Sequence, residues 1–174
     1  SLDTFAMPVD ARSIAVVRQE RGILLERIGK PIGAREEYEA ALKIYESLGP
    51  DAEQEWLFAA ANFANVLRQQ GEVARSLSLF REVIASLEKL RGSDHPDVLA
   101  ALGNYATALD EVGQEGQSAA TMKRVVDVLR QQLGPDHPDT MTAHNNVIAV
   151  LSNTGRTDEA LREIRDLIER STRV

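Results

Sequence analysis

Four glycines at one interval constrain this chain more than any other feature. Gly29, Gly71, Gly113 and Gly155 stand forty-two residues apart, and the residues around them recur in kind. Four positions before each glycine is leucine: Leu25, Leu67, Leu109 and Leu151. Seven before stand Gly22, Ala64, Ala106 and Ile148, small in three of four cases. Five after are Ala34, Ser76, Ser118 and Ala160, all small; nine after are Tyr38, Phe80, Met122 and Ile164, all large. Thirteen after come Leu42, Ile84, Val126 and Ile168. Five agreeing columns at one period exceed what an alanine- and leucine-rich composition produces by itself. The chain is built of repeats, each one supersecondary unit.

Each unit holds two amphipathic segments. Trp56, Ala60, Phe63, Ala64 and Leu67 follow the 3.6-residue helical period, as do Val73, Leu77, Phe80, Ile84, Leu87 and Leu90 beyond Gly71. Glycine readily takes the left-handed conformation that ends many helices, so a short turn there makes antiparallel neighbours. The joints between units are Gly49-Pro50, Gly92-Ser93 and Gly134-Pro135. Asp94, Asp97, Asp136 and Asp139 then crowd the next helix starts, where a carboxylate can accept orphan N–H bonds and complement the dipole. The pattern predicts helices over 10–28, 31–48, 53–70, 72–91, 96–112, 115–133, 138–154 and 157–171. One hairpin cannot bury its apolar stripe, but stacked hairpins can. The expected fold is all-α: a solenoid of about four stacked antiparallel helical hairpins, with repeats over 10–50, 51–92, 93–135 and 136–171. Residues 1–9 read as a linker and 172–174 as a tail, leaving 10–171 as one domain.

Composition narrows the function. A net charge of −7 with no long Lys/Arg run leaves no footprint for nucleic acid. No apolar run approaches the ~18 residues of a membrane span, and no secretory signal is visible. Zero cysteines exclude disulfides and thiolate metal sites. A cytoplasmic protein without cofactor is expected.

The small-then-bulky columns, Ala34-x3-Tyr38 and Ser76-x3-Phe80, with Ser118-x3-Met122 and Ala160-x3-Ile164 as looser versions, resemble the tetratricopeptide repeat. Each unit has eight residues more than that family's usual thirty-four. With LGPDHPDT and HNNV, the chain is similar to the longer subtype of kinesin light chains and bacterial regulators. The resemblance implies a right-handed superhelix whose first helices line a concave groove for extended protein or peptide segments, within a larger bacterial protein.

Helical geometry gives a separate estimate of which side faces outward. Positions six, nine and thirteen before the glycine lie roughly 140–160° from the leucine column or on that same side. The ninth-position column contains Asn62, Asn104 and Asn146. Asparagine is a mediocre helix former, and its amide both donates and accepts. Two roles fit: contact with a peptide backbone, or bonds between neighbouring first helices that stiffen the stack. Asn65, Arg68, Thr107 and Asn145 join these three as candidate peptide contacts. Asn65 with Arg68 only partly matches the basic clusters by which relatives grip a C-terminal carboxylate.

Other features invite other functions. Leu161, Ile164 and Ile168 form a stripe on the last helix with no following helix to share it. That end is expected either to continue into a longer array or to pair with another chain, as in a homodimer. A self-assembly domain is therefore one alternative function, and a peptide-sensing regulatory domain attached to an effector is another. His95, His137 and His144 could suggest a metal. However, His95 and His137 occupy equivalent joints about one repeat apart, too far for one ion. No nucleophile or phosphate-binding loop stands in a recognisable motif, so the chain is expected not to be an enzyme.

Overall fold

The computed structural model describes residues 10–153 and 155–171, and every element among them is helical. The helices are α1 (Ala11–Arg27), α2 (Pro31–Leu48), α3 (Glu53–Gln69), α4 (Val73–Arg91), α5 (Pro96–Glu111), α6 (Glu115–Leu133), α7 (Pro138–Asn153) and α8 (Thr157–Ser171). A short 3₁₀ turn, Gly49–Ala52, precedes α3. The expected linker 1–9 and tail 172–174 lie outside the described residues.

The glycine ruler corresponds to one backbone device used four times. Gly29, Gly71, Gly113 and Gly155 have φ of 71°, 81°, 70° and 70°. The residue after each glycine donates its N–H to the leucine column: Lys30 to Leu25 O at 2.8 Å, and Glu72, Gln114 and Arg156 to Leu67, Leu109 and Leu151 O at 2.9 Å. Each glycine N–H reaches the carbonyl one residue further on, as in Gly71 to Arg68 O at 2.9 Å. These paired bonds form the Schellman motif, which satisfies carbonyls that a helix end leaves open. The leucine is thus fixed twice, by its carbonyl in the turn and by its side chain. Leu67, Leu109 and Leu151 are at most 2% exposed. Pro31 follows the first turn at the first helical position, where its missing N–H costs nothing.

Helix starts depart from the aspartate expectation. Before α5 the cap is His95, whose Nδ1 accepts the Asp97 N–H at 3.2 Å; before α7, His137 Nδ1 accepts the Asp139 N–H at 3.3 Å. Imidazole Nδ1 is as many bonds from Cα as a carboxylate oxygen, so histidine in extended backbone reaches the same orphan donor. Asp97 and Asp139 instead sit in the first turns, where they complement the dipole. An aspartate does cap α1: Asp10 Oδ1 accepts the Ser13 N–H at 2.7 Å.

The chain divides into two compact units, Ser1–Leu79 and Phe80–Val174, with the division falling inside α4. In the first, α1 packs on α2 and α2 on α3. In the second, α5 packs on α6, α6 on α7 and α7 on α8. The small column is enclosed throughout, with Ala34 and Ser76 at 0%, Ser118 at 1% and Ala160 at 3% exposure. Ser118 satisfies its hydroxyl by donating to Ala106 O at 2.9 Å, which closes the α5–α6 hairpin. Tyr38 and Phe80 are fully buried, whereas Leu90, at 44% exposure, leaves the stripe the sequence placed it on.

Candidate functional site: a cleft between first helices

In the second unit, α5 and α7 flank a cleft of about 260 Å³. Ala106, Thr107 and Asp110 come from α5; Ser118 and Met122 from α6; Asn146, Ala149, Val150 and Asn153 from α7. Asn146, Ala149 and Asn153 follow the i, i+3, i+7 spacing of one helix face. The floor is apolar and small: Ala106 is 1% and Met122 8% exposed. The rim is polar, with two amides, one hydroxyl and one carboxylate. Asp110 carries the only formal charge among the lining residues. Thr107 Oγ1 donates to Gly103 O at 3.1 Å, which leaves the oxygen's lone pairs facing outward on an exposed residue.

The cleft joins two of the residues named from sequence, Thr107 and Asn146. Asn104 is half-buried and Asn145 exposed, and neither lines the cleft. In the first unit Asn62, Asn65 and Arg68 are half-buried on α3, and Phe58 on the same helix is 54% exposed. At the other end, Leu161 is 44% and Ile168 57% exposed, while Ile164 is half-buried.

A second cleft in this unit, about 310 Å³, holds a constellation the sequence reading did not find. His144, 2% exposed on α7, lies with Nε2 2.8 Å from Glu163 Oε2 of α8, and Lys123 Nζ of α6 holds Glu163 Oε1 at 2.7 Å. Arg130 of α6 faces Asp166 at 3.6 Å. Burial raises the Glu163 pKa, but bonds from Lys123 and His144 outweigh it and hold the carboxyl below its ordinary value. Ligand atoms of His144, Glu163 and Asp166 all lie within 4.8 Å of one another, close enough to converge on a metal ion. Lys123 and Arg130 already supply those carboxylates with positive charge, so the set reads as a charge-balanced tie among three helices. A signal for it was present in the columns. Arg18 and His144 share the eleventh position before the glycine, Glu37 and Glu163 the eighth after, and Arg18 Nη1 meets Glu37 Oε2 at 3.2 Å. Pairing those two columns requires the hairpin to be closed.

Glycine-turned helical hairpins, closed over a small-residue column and repeated at one period, define a helical repeat protein. Residues 56–131 match the tetratricopeptide repeat family. The fold is that of TPR-like repeat structures, those of kinesin light chains among them. The nearly identical TPR-like repeats of a kinesin light chain candidate from Podosopora anserina superpose with a TM-score of 0.83 at 19% identity, covering 95% of this chain and 78% of that one. BtubC (BKLC) from P. vanneervenii gives 0.80 at 19% identity over 94% of this chain, which spans 64% of that one. The TPR domain of Arabidopsis FLU gives 0.63 at 19% identity, covering 71% of this chain and all of that domain. No curated protein matches by sequence. Repeat folds of this type are generally protein-interaction scaffolds, and no described helix is long and apolar enough to cross a membrane.

Proposed function

We propose that this chain is a protein- or peptide-binding module, with the α5–α7 cleft as a contact site for an extended segment. The observation that carries this reading is the cleft's lining: an apolar floor under amides that can both donate and accept. Asn146 and Asn153 suit a peptide backbone, which presents both kinds of group at every residue. Asp110 favours a lysine or arginine on that segment, and no cation among the lining residues would receive a C-terminal carboxylate. In the first unit, Asn62, Asn65 and Arg68 are candidates for a separate stretch of the same partner. A site on helices is already ordered, so the ordering cost falls mainly on the ligand.

Peptides selected from a phage-displayed library against this chain should carry a basic residue. Calorimetry should then show Asp110→Asn and Asn146→Ala each weakening them about tenfold, or about 1.4 kcal/mol. Melting temperature should hold, since Asn146 is exposed and Asp110 half-buried at the cleft rim, and substitutions outside the core usually stay within about 0.5 kcal/mol. Unchanged affinity in the double variant would overturn the assignment. A large loss of melting temperature with affinity intact would make the asparagines stiffeners.

A further inference from the structure

Because the repeats share one plan, each serves as a control for the others. In the two middle repeats, the eleventh position before the glycine and the eighth after it hold Ala60 with Leu79 and Leu102 with Thr121. Ala60 is 0% and Leu102 5% exposed, so an uncharged residue fills that first position well. The first repeat has an ordinary ion pair there, Arg18 with Glu37. The last repeat has His144 and Glu163, with the imidazole 2% exposed and Nε2 2.8 Å from Glu163 Oε2. Burying a polar pair costs desolvation that an apolar pair avoids, and an arginine already serves where the glutamate needs only a counter-charge. The hairpin therefore requires neither the histidine nor the carboxylate for its folding.

We propose that His144, Glu163 and Asp166 form a binding site for a divalent transition-metal ion, with Zn²⁺ the best match. Their ligand atoms all lie within 4.8 Å of one another. Metal–ligand bonds of about 2.0–2.2 Å place two ligands of one ion at most about 4.4 Å apart, so Asp166 must close in by about half an ångström. Its side chain is 39% exposed and has room to turn. The two cations that tie these helices do not block the site. Lys123 takes Glu163 Oε1 at 2.7 Å and leaves Oε2 toward the imidazole, while Arg130 meets Asp166 Oδ2 at 3.6 Å. Outer partners of this kind orient ligating carboxylates. With Asp127, three carboxylates face those two cations around the cleft, a balance that favours a positive ligand. The cleft's volume of about 310 Å³ has room for waters to complete the coordination. An imidazole ligand suits Zn²⁺, whereas Mg²⁺ and Ca²⁺ take oxygen. The ion would replace the proton between Nε2 and Oε2, joining α7 to α8 by coordination.

Isothermal titration calorimetry of the whole chain with zinc chloride at neutral pH tests this. The wild-type chain should bind one ion in the micromolar range, magnesium chloride should give no binding heat, and zinc should raise the melting temperature. His144→Leu combined with Glu163→Thr copies Leu102 and Thr121 of the preceding repeat, so it should keep its helical circular dichroism. That variant should bind zinc at least about tenfold more weakly, as should Asp166→Asn, which changes a residue outside the core. A wild-type chain that binds no zinc would overturn the proposal. Undiminished binding by the folded double variant would also overturn it and assign the ion to His95 or His137. Should the double variant lose its helicity, undiminished binding by Asp166→Asn would overturn it instead.

Discussion

Gly22 and Tyr38 show how tightly single residues are set in this fold. A Cβ at Gly22 would lie 3.0 Å from Cε1 and Cζ of Tyr38. That ring is fully buried, and its hydroxyl donates to Glu26 Oε2 at 2.6 Å. Burial and the Glu26 carboxylate together push the phenol well above its ordinary value, so it remains a donor. With the ring anchored at its far end, it cannot retreat from a new methyl group. Replacing a helical glycine by alanine ordinarily gains about 1 kcal/mol, and overpacking costs about 1–3 kcal/mol. Gly22→Ala should therefore lower the melting temperature. In a Tyr38→Leu background the same change should raise it, and thermal unfolding of the four chains checks the sign reversal.

Among elements, α8 is tied by charge to two other helices. It is held by Lys123 of α6 and His144 of α7, both through Glu163. The Glu163 pKa is lowered in the folded chain, so its contribution is present above the unfolded value and lost as pH falls through the folded one. The loss should set in below the ordinary value of 4.5. Glu163→Gln should cost about 1–3 kcal/mol near neutral pH, because the buried His144 and the half-exposed Lys123 lose a charged acceptor. It should also flatten the fall in urea midpoint on acidification. An unchanged midpoint and slope would place α8's anchorage in Ala160 and its apolar neighbours instead.

For the molecule as a whole, the net charge of −7 weakly opposes association of copies, and salt screens that repulsion. The same self-repulsion acts within each folded chain, so added sodium chloride should raise the melting temperature modestly at neutral pH, and differential scanning calorimetry over a salt series measures this. A melting temperature that falls with salt would mean that the ion pairs outweigh the net charge.

The sequence by itself determined the period, the hairpins and nearly every helix boundary. Those follow from local rules: glycine turns, proline at a first helical position, and apolar residues at 3.6-residue spacing. Even the predicted outward side of the first helices needed only the 100° turn per residue, and Phe58, Thr107 and Asn146 are exposed there. Tertiary structure alone decided which of those outward residues share a cleft, joining Thr107 and Asn146 with Asp110 while leaving Asn104 and Asn145 outside. It alone brought His144 to Glu163 and Lys123, three residues on three helices, and showed imidazoles rather than carboxylates capping α5 and α7. Period and amphipathicity are properties of a single helix and can be read along the chain. A cleft or an ion pair depends on how far one helix slides and turns against another, which is set by side chains packing from both.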